Sequence, residues 1–405
     1  VSGLVTAVFC LTYMGMALGR LPGLAVDRTG IALIGITILI ASGALPLSEA
    51  ARAVDLPTII LLFALMIVSA QFQGSGFYDL CARAVTSSAQ HPARLLALLI
   101  GVTGLLSALL TNDVVVFALT PLICQGLLAR GLDPRPYLIA LAGAANAGSA
   151  ATLIGNPQNI LIGQVGQIDF WRFAAICTPV AIASLAIVYA TVRLTWAAAL
   201  AQKPRPSTAA APAEADRFQI GKGFAGLVLL VALFATDIPR EVSALGIAGI
   251  MLLSRRISSR NLLQLVDWPL LLLFLALFGI TAAFAQTGLA AAALGWAAER
   301  NLTPAQLPVL APLALLLSNT IGNVPAVILL TTLLPDLSEQ TLIALSLLST
   351  LAGNLLLTGS IANIIVAERA SRAGVGLSFS DFAHSGIPMT LASFAVALIW
   401  LYALL

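Results

Sequence analysis

The stretch Ala147-Gly-Ser-Ala-Ala-Thr-Leu-Ile-Gly-Asn-Pro-Gln-Asn-Ile-Leu-Ile-Gly163 lies in a run otherwise apolar enough to cross a bilayer, and Gly155, Asn156, Pro157, Gln158 and Asn159 interrupt it. Proline has no N–H and disfavours a helical residue before it, so carbonyls near positions 153 and 154 should lose their intrahelical donors. Hydrocarbon cannot replace those donors. Backbone left bare at that depth persists only where protein buries it or where it lines a polar cavity, so the sequence predicts a broken membrane helix beside a solute or ion site.

Only 9% of the 405 residues are charged and 60% are hydrophobic, whereas a soluble domain averages about 25% charged. The composition is that of a polytopic membrane protein in contact with lipid. A net charge of +3 gives no footprint for nucleic acid. Cys10, Cys81, Cys124 and Cys177 are scattered, and His91 and His384 fall in polar connections without a second ligand at metal spacing. Val1 to Gly19 lacks a basic n-region and reads as a retained helix rather than a signal peptide. No phosphate-binding glycine motif is present, so any ATP would act through a separate ATPase subunit. With no metalloprotease, nucleophile-elbow or paired-acid motif in any span, the reading is not an enzyme, and no resident cofactor is expected.

Apolar runs near 3–19, 29–45 and 57–73 predict three spanning helices, and 74–94 an amphipathic helix at the interface. Residues 95–129 are apolar but interrupted at Thr111-Asn112-Asp113. Arms of about 15 residues would reach only about 22 Å of a ~30 Å core, which favours a re-entrant hairpin. A broken helix over 136–166, a span over 173–195 and a linker over 197–219 follow.

The pattern then repeats. Asp55, Pro57 and Phe72 recur as Asp267, Pro269 and Phe284, each at an offset of 212. A second hairpin over 307–334 has its tip in Ser318-Asn-Thr-Ile-Gly-Asn-Val-Pro325, and a second broken helix over 341–368 sets Gly359-Ser-Ile-Ala-Asn363 opposite Gly155–Asn159. Matching the hairpins by an offset of 211 makes Asn323 the counterpart of Asn112; an offset of 207 pairs Asn112 with Asn319 instead. The spacing favours 211. If both hairpins are re-entrant, only Arg52, Arg172, Arg240 and Arg300 of the 20 Lys and Arg fall on one side, with Arg20, Arg28, Arg205 and the rest opposite. By the positive-inside rule the linker is then cytoplasmic and the N-terminus outside. The fold class expected is an all-α polytopic membrane protein of two inverted-topology repeats, 1–196 and 220–405, each with a re-entrant hairpin and a broken transmembrane helix.

Such repeats bring their interruptions to one midplane centre. The candidate residues there are Thr111, Asn112, Asp113, Gly155, Asn156, Pro157, Asn159, Ser318, Asn319, Thr320, Asn323, Gly359, Ser360 and Asn363. Oxygens of Asn112, Asp113, Asn319 and Asn323 could ligate Na⁺. Asp113 is the one acid placed deep in the membrane, and no Lys or Arg lies within a hairpin to pair with it. A carboxylate so placed takes up a proton or sits beside a cation, which makes Asp113 the coupling candidate. The alternative is a helix cap, its oxygen on an N–H near position 116. An anionic solute would be held by dipoles, amides and co-bound cations alone.

Thr111-Asn-Asp-Val-Val-Val-Phe-Ala-Leu-Thr-Pro121, Ser149–Asn159, Ser318–Pro325 and Ala352-Gly-Asn-Leu-Leu-Leu-Thr-Gly-Ser-Ile-Ala-Asn363 resemble motifs of the ion transporter superfamily. The similarity is to the branch of arsenite efflux permeases (ArsB) and NhaD-type sodium/proton antiporters, and more distantly to divalent anion/sodium symporters. Those symporters carry Ser-Asn-Thr at both tips; Ser318-Asn319-Thr320 matches and Thr111-Asn112-Asp113 departs. The resemblance implies a scaffold domain, a transport domain moving as an elevator, and a homodimer. The function expected is a secondary active transporter of the inner membrane, moving a small inorganic anion or arsenite- or antimonite-like oxyacid with H⁺ or Na⁺. The alternatives are a Na⁺/H⁺ antiporter and a dicarboxylate symporter.

Overall fold

The computed structural model describes residues 2–19, 23–87, 91–204, 215–300 and 302–404. Arg20 and the middle of the expected linker, 205–214, with Arg205, Pro206 and Pro212, lie outside the described residues. All regular structure among the described residues is helical. The first half holds α1 (Ser2–Leu18), α2 (Arg28–Ala41), α3 (Leu47–Ala53), α4 (Leu56–Gly74), α5 (Phe77–Ser87), α6 (Pro92–Leu109), α7 (Asn112–Leu128), α8 (Arg135–Ser149), α9 (Pro157–Val165), α10 (Phe170–Thr195) and the short α11 (Ala197–Leu200). The second holds α12 (Arg217–Leu233), α13 (Arg240–Leu252), α14 (Ser259–Gln264), α15 (Trp268–Ala285), α16 (Leu289–Ala298), α17 (Leu307–Thr320), α18 (Asn323–Leu333), α19 (Glu339–Ala352), α20 (Ile361–Arg372) and α21 (Phe379–Leu404).

Five of these helices, α4, α6, α10, α15 and α21, are long and apolar enough to span a bilayer. The ends follow local chemistry. Asp55 caps α4 through the Thr58 N–H and Asp267 caps α15 through the Leu270 N–H, both at 3.0 Å, with Pro57 and Pro269 in the first turn, where a missing N–H costs nothing.

The pairs α6–α7 and α17–α18 turn more tightly than the sequence suggests. Asn112 and Asp113 belong to the first turn of α7, Ser318 to Thr320 to the last turn of α17, and Asn323 opens α18 as Asn112 opens α7. The arms also differ from the expected length. α6 and α7 have 18 and 17 residues, so they reach about 27 and 26 Å, whereas α17 and α18 have only 14 and 11. Shortness therefore argues for re-entry only in the second pair.

The two halves exchange partners. α2 packs on α15 while α13 packs on α4; α7 packs on α20 while α18 packs on α9; α10 and α21 pack on each other. Aromatic rings follow the same exchange, Phe9 of α1 stacking on Phe284 at 3.8 Å and Phe224 of α12 meeting Phe72 edge-on at 5.0 Å. α6 lies so close to α8 that a Cβ on Gly148 would overlap the Gly104 backbone, the small-residue packing by which membrane helices gain contact without a hydrophobic drive.

Candidate functional site

The first break begins earlier than Pro157 alone would place it. α8 ends at Ser149, and Pro157 does not end a helix but starts one, at the first position of α9 with Asn156 as its cap. The break also frees carbonyls upstream of 153 and 154, those of residues 149 and 152. Asn159 Nδ2 donates to both, at 3.1 and 3.0 Å. The Gly155 carbonyl accepts from the Asn112 N–H at 2.9 Å, which ties the α6–α7 tip to the break.

The second break repeats this arrangement at the offset that takes Asn159 to Asn363. Asn363 Nδ2 donates to the carbonyls of Gly353 and Leu356, at 2.7 and 3.1 Å, and Ser360 caps α20 as Asn156 caps α9. Asn323, its amide nitrogen turned toward the break, donates to the Gly359 carbonyl at 2.8 Å. The acceptor oxygens are served across the halves: Ser346 and Thr350 donate to Asn159 Oδ1 at 2.6 and 3.1 Å, and Asn146 donates to Asn363 Oδ1 at 3.0 Å.

Asn146 is the hub that sequence reasoning missed. Fully buried, it also donates to Asn354 Oδ1 at 2.8 Å and accepts from Asn112 Nδ2 and Ser360 Oγ, at 3.2 and 3.0 Å. All four of its hydrogen-bonding positions are occupied, which fixes α8, the first tip and the second break together. The available signal was a lone amide in the small-residue helix Ala142-Gly-Ala-Ala-Asn146, standing where the second half has Thr350.

Two cavities meet at Asp113. The larger, about 330 Å³, is walled by Thr111, Asp113, Phe117, Pro157, Asp267 and Arg369, with Gln73, Gln264, Glu368 and Arg372 also contributing. The smaller, about 20 Å³, is walled by Arg28, Asn112, Asp113, Pro157, Gln158, Gly322, Asn323 and Ser360. Thus Thr111, Asn112, Asp113, Pro157, Asn323 and Ser360 line the cavities. Gly155, Asn156, Asn159, Ser318, Asn319, Gly359 and Asn363 do not: most of them brace the breaks and tips around the cavities. Asn319 Nδ2 joins the end of α17 to the Ala352 carbonyl at 2.9 Å. Thr320 is exposed, its hydroxyl donating to Leu316 and Leu317 carbonyls of its own helix.

Two sequence expectations are corrected here. Asp113 is not a cap: the residue before α7 is Thr111, and the Asp113 carboxylate accepts no hydrogen bond and forms no ion pair among the described residues. Basic residues do reach the site. Arg28 stands in the small cavity, and Arg369, its guanidinium 3.2 Å over the Phe117 ring, lines the large one with Arg372. Composition could not show this, because Arg28 lies far from both hairpins in sequence and arrives through the packing of α2 on α15. Four buried oxygens at the two tips have no partner among the described residues: Thr111 Oγ1, Asn112 Oδ1, Ser318 Oγ and Asn319 Oδ1. Among those residues no cluster of three His, Cys, Asp or Glu could hold a metal ion.

Paired helix breaks braced by amides around a polar cavity, in a chain with several membrane-length helices, define a multi-pass membrane transporter. A family model described as citrate transporter (CitMHS) matches residues 13–341, so the chain belongs to that family, within the ion transporter superfamily that the motifs resemble. It is 30% identical to a 46 kDa membrane protein of Mycobacterium leprae, over 99% of this chain and 98% of the relative. It is 28% identical to the silicon efflux transporter LSI3 of Oryza sativa, over 97% and 96%. The inner membrane protein YbiR of Escherichia coli is 32% identical over 84% and 86%. The YdaH transporter of Alcanivorax borkumensis, described as having an unusual topology, shares the fold with a TM-score of 0.55 at 17% identity, over 99% of this chain and 96% of that one. These relatives are transporters or membrane proteins, and the family is not one of enzymes.

Proposed function

We propose that this protein is a secondary active transporter of a small inorganic oxyacid or its anion, arsenite- or antimonite-like, coupled to H⁺ or Na⁺ across the inner membrane. The observation that carries the reading is Asp113: a buried carboxylate without a partner among the described residues, in the wall shared by two cavities. Such a group repels a polyanion and suits a hydroxyl-bearing acid, a proton or Na⁺. Thr111 Oγ1 and Asn112 Oδ1 beside it are hard oxygens of the kind that ligate Na⁺ or accept from a hydroxyl. The LSI3 relative, named for silicon efflux, is in keeping with a weak oxyacid.

The rival solute is a di- or tricarboxylate. It is favoured by the family's description and by Arg369 and Arg372 at the large cavity, whose volume would admit one.

Alternating access is proposed to follow from two inverted repeats, with the second half's tip opposite the first and the braced breaks moving as an elevator past α1–α4 and α12–α15. The exchange of packing partners and the hydrogen bonds shared by Asn159 and Asn363 support the repeats. A homodimer, an external N-terminus and a cytoplasmic linker belong to the same proposal.

The test is uptake into proteoliposomes of arsenite, antimonite, silicate and citrate against imposed pH and Na⁺ gradients. Gradient-driven movement of an oxyacid is expected. Movement of citrate alone would replace the solute, and flux indifferent to both gradients would remove the coupling.

A further inference from the structure

Arg28, the first residue of α2, has a counterpart in Arg240, the first residue of α13, at the same offset that relates Asp55 to Asp267. Their guanidinium groups are used differently. Arg240 donates Nη1 to the Gly163 carbonyl at 3.2 Å and Nη2 to the Ile168 carbonyl, so both ends are taken up by the turn after α9. Arg28 donates only Nε, to the Met16 carbonyl at 3.1 Å, and makes no ion pair among the described residues.

The free end of Arg28 faces the α17–α18 tip. A Cβ on Gly322 would lie 3.4 Å from Nη1, and Gly322 holds a φ of 99° that favours glycine, so the tip brings bare backbone against the guanidinium. α18 starts there without a side-chain cap, leaving its first N–H groups unpaired with positive partial charge. In the same small cavity stand Asn112, 3% exposed with Oδ1 unpartnered, and the Asp113 carboxylate. Donors with positive charge and unpartnered acceptors therefore line the same small cavity. The space between them is about 20 Å³, room for one oxygen atom and not for a whole solute.

We infer that Arg28 and the N-terminus of α18 form an oxyanion subsite of the transport site, holding one deprotonated oxygen of a weak oxoacid monoanion whose remaining hydroxyl donates to Asn112 Oδ1 or Asp113. The body of the solute occupies the larger cavity, which shares Asp113 and Pro157 with the smaller. Next to the Arg28 guanidinium a bare cation is disfavoured, and next to Asp113 a dianion or an anion without a hydroxyl. This inference rests on the reading of these cavities as the transport site.

Isothermal titration of the purified full chain with hydrogencarbonate, nitrate and arsenite tests it, because the first two are planar monoanions of similar size and only hydrogencarbonate carries a hydroxyl. The wild type should bind hydrogencarbonate in preference to nitrate. Arg28→Gln should weaken that binding at least about tenfold, as loss of a charge-assisted hydrogen bond does, with Arg28→Lys retaining part of it. Unchanged affinity in Arg28→Gln, or equal affinity for nitrate, overturns the subsite. Binding of arsenite without hydrogencarbonate also overturns it while leaving the proposed transport intact; binding of neither oxoacid overturns both. Thermal melts of both variants identify a folding failure, and Arg28→Lys, which keeps the charge, then decides on the same anion preference.

Discussion

Asn159 and Asn363 perform the same task at the same spacing: each amide nitrogen bridges the carbonyls ten and seven residues before it. A gap in a membrane helix is stable because one side chain supplies two of the donors that the missing turn would have supplied. Asn159→Ala should therefore leave the buried Ser149 carbonyl unpaired, at about 1–3 kcal/mol, and the Thr152 carbonyl with only the long bond from the Gly155 N–H. Both this variant and Asn363→Ala are expected to lower the melting temperature in detergent as well as to stop transport. A wild-type melting temperature in either would assign that amide to the solute rather than to the break.

Asp113→Asn keeps the size of the side chain and removes the charge. Transport driven by a pH or Na⁺ gradient should fall to the level of facilitated flux, measured in proteoliposomes, while solute binding partly survives. Because Asp113 caps nothing, Asp113→Ala should not carry the ~1 kcal/mol loss of a helix cap. Full gradient-driven uptake by Asp113→Asn would move the coupling ion elsewhere.

Arg240 pins the turn after α9, with Gln164 donating to Glu241 at 3.2 Å beside it. Arg240→Gln should speed hydrogen exchange at residues 163–168 by at least about tenfold and leave the amides of α6 unchanged. Equal protection in the two proteins would make the contact dispensable.

Asp133, between α7 and α8, is partly buried, which pushes its carboxyl up, but hydrogen bonds from the Arg135 side chain and N–H outweigh this and hold it below its ordinary value. A depressed carboxyl stabilises the fold above its unfolded value, near 4, and loses that contribution as pH falls through the folded value. Asp133→Asn should therefore lower stability above about pH 4 by that contribution, make little difference well below it, and so flatten the acid limb between. The effect should stay under about 1 kcal/mol, since Arg135 is exposed. An unchanged acid limb would show that the pair is fully screened.

The helices were legible because apolar runs and capping acids are local signals: Asp55 with Pro57, and Asp267 with Pro269, mark two starts without any knowledge of the neighbours. Spacing also placed the breaks, and the matched Gly155–Asn159 and Gly359–Asn363 segments identified the amides that brace them. Which polar residue lines a cavity and which is fully engaged with backbone could not be read, because Asn156 and Asn112 look alike in sequence and differ only in whom they meet. Arg28 and Asn146 were illegible for the same reason. Each gains its significance from helices in the other half of the chain.

The hydroxyls that complete Asn159 come from Ser346 and Thr350, and the amide that completes Asn363 comes from Asn146. On the ribosome, the first break is thus made long before its partners exist. Until α19 arrives, Asn159 Oδ1 must face a temporary donor, whether water, lipid headgroup or translocon. The proposed transport site is consequently among the last parts of the molecule to form, and a chain stopped anywhere before residue 346 should present an unfinished first half to the quality-control machinery of the membrane.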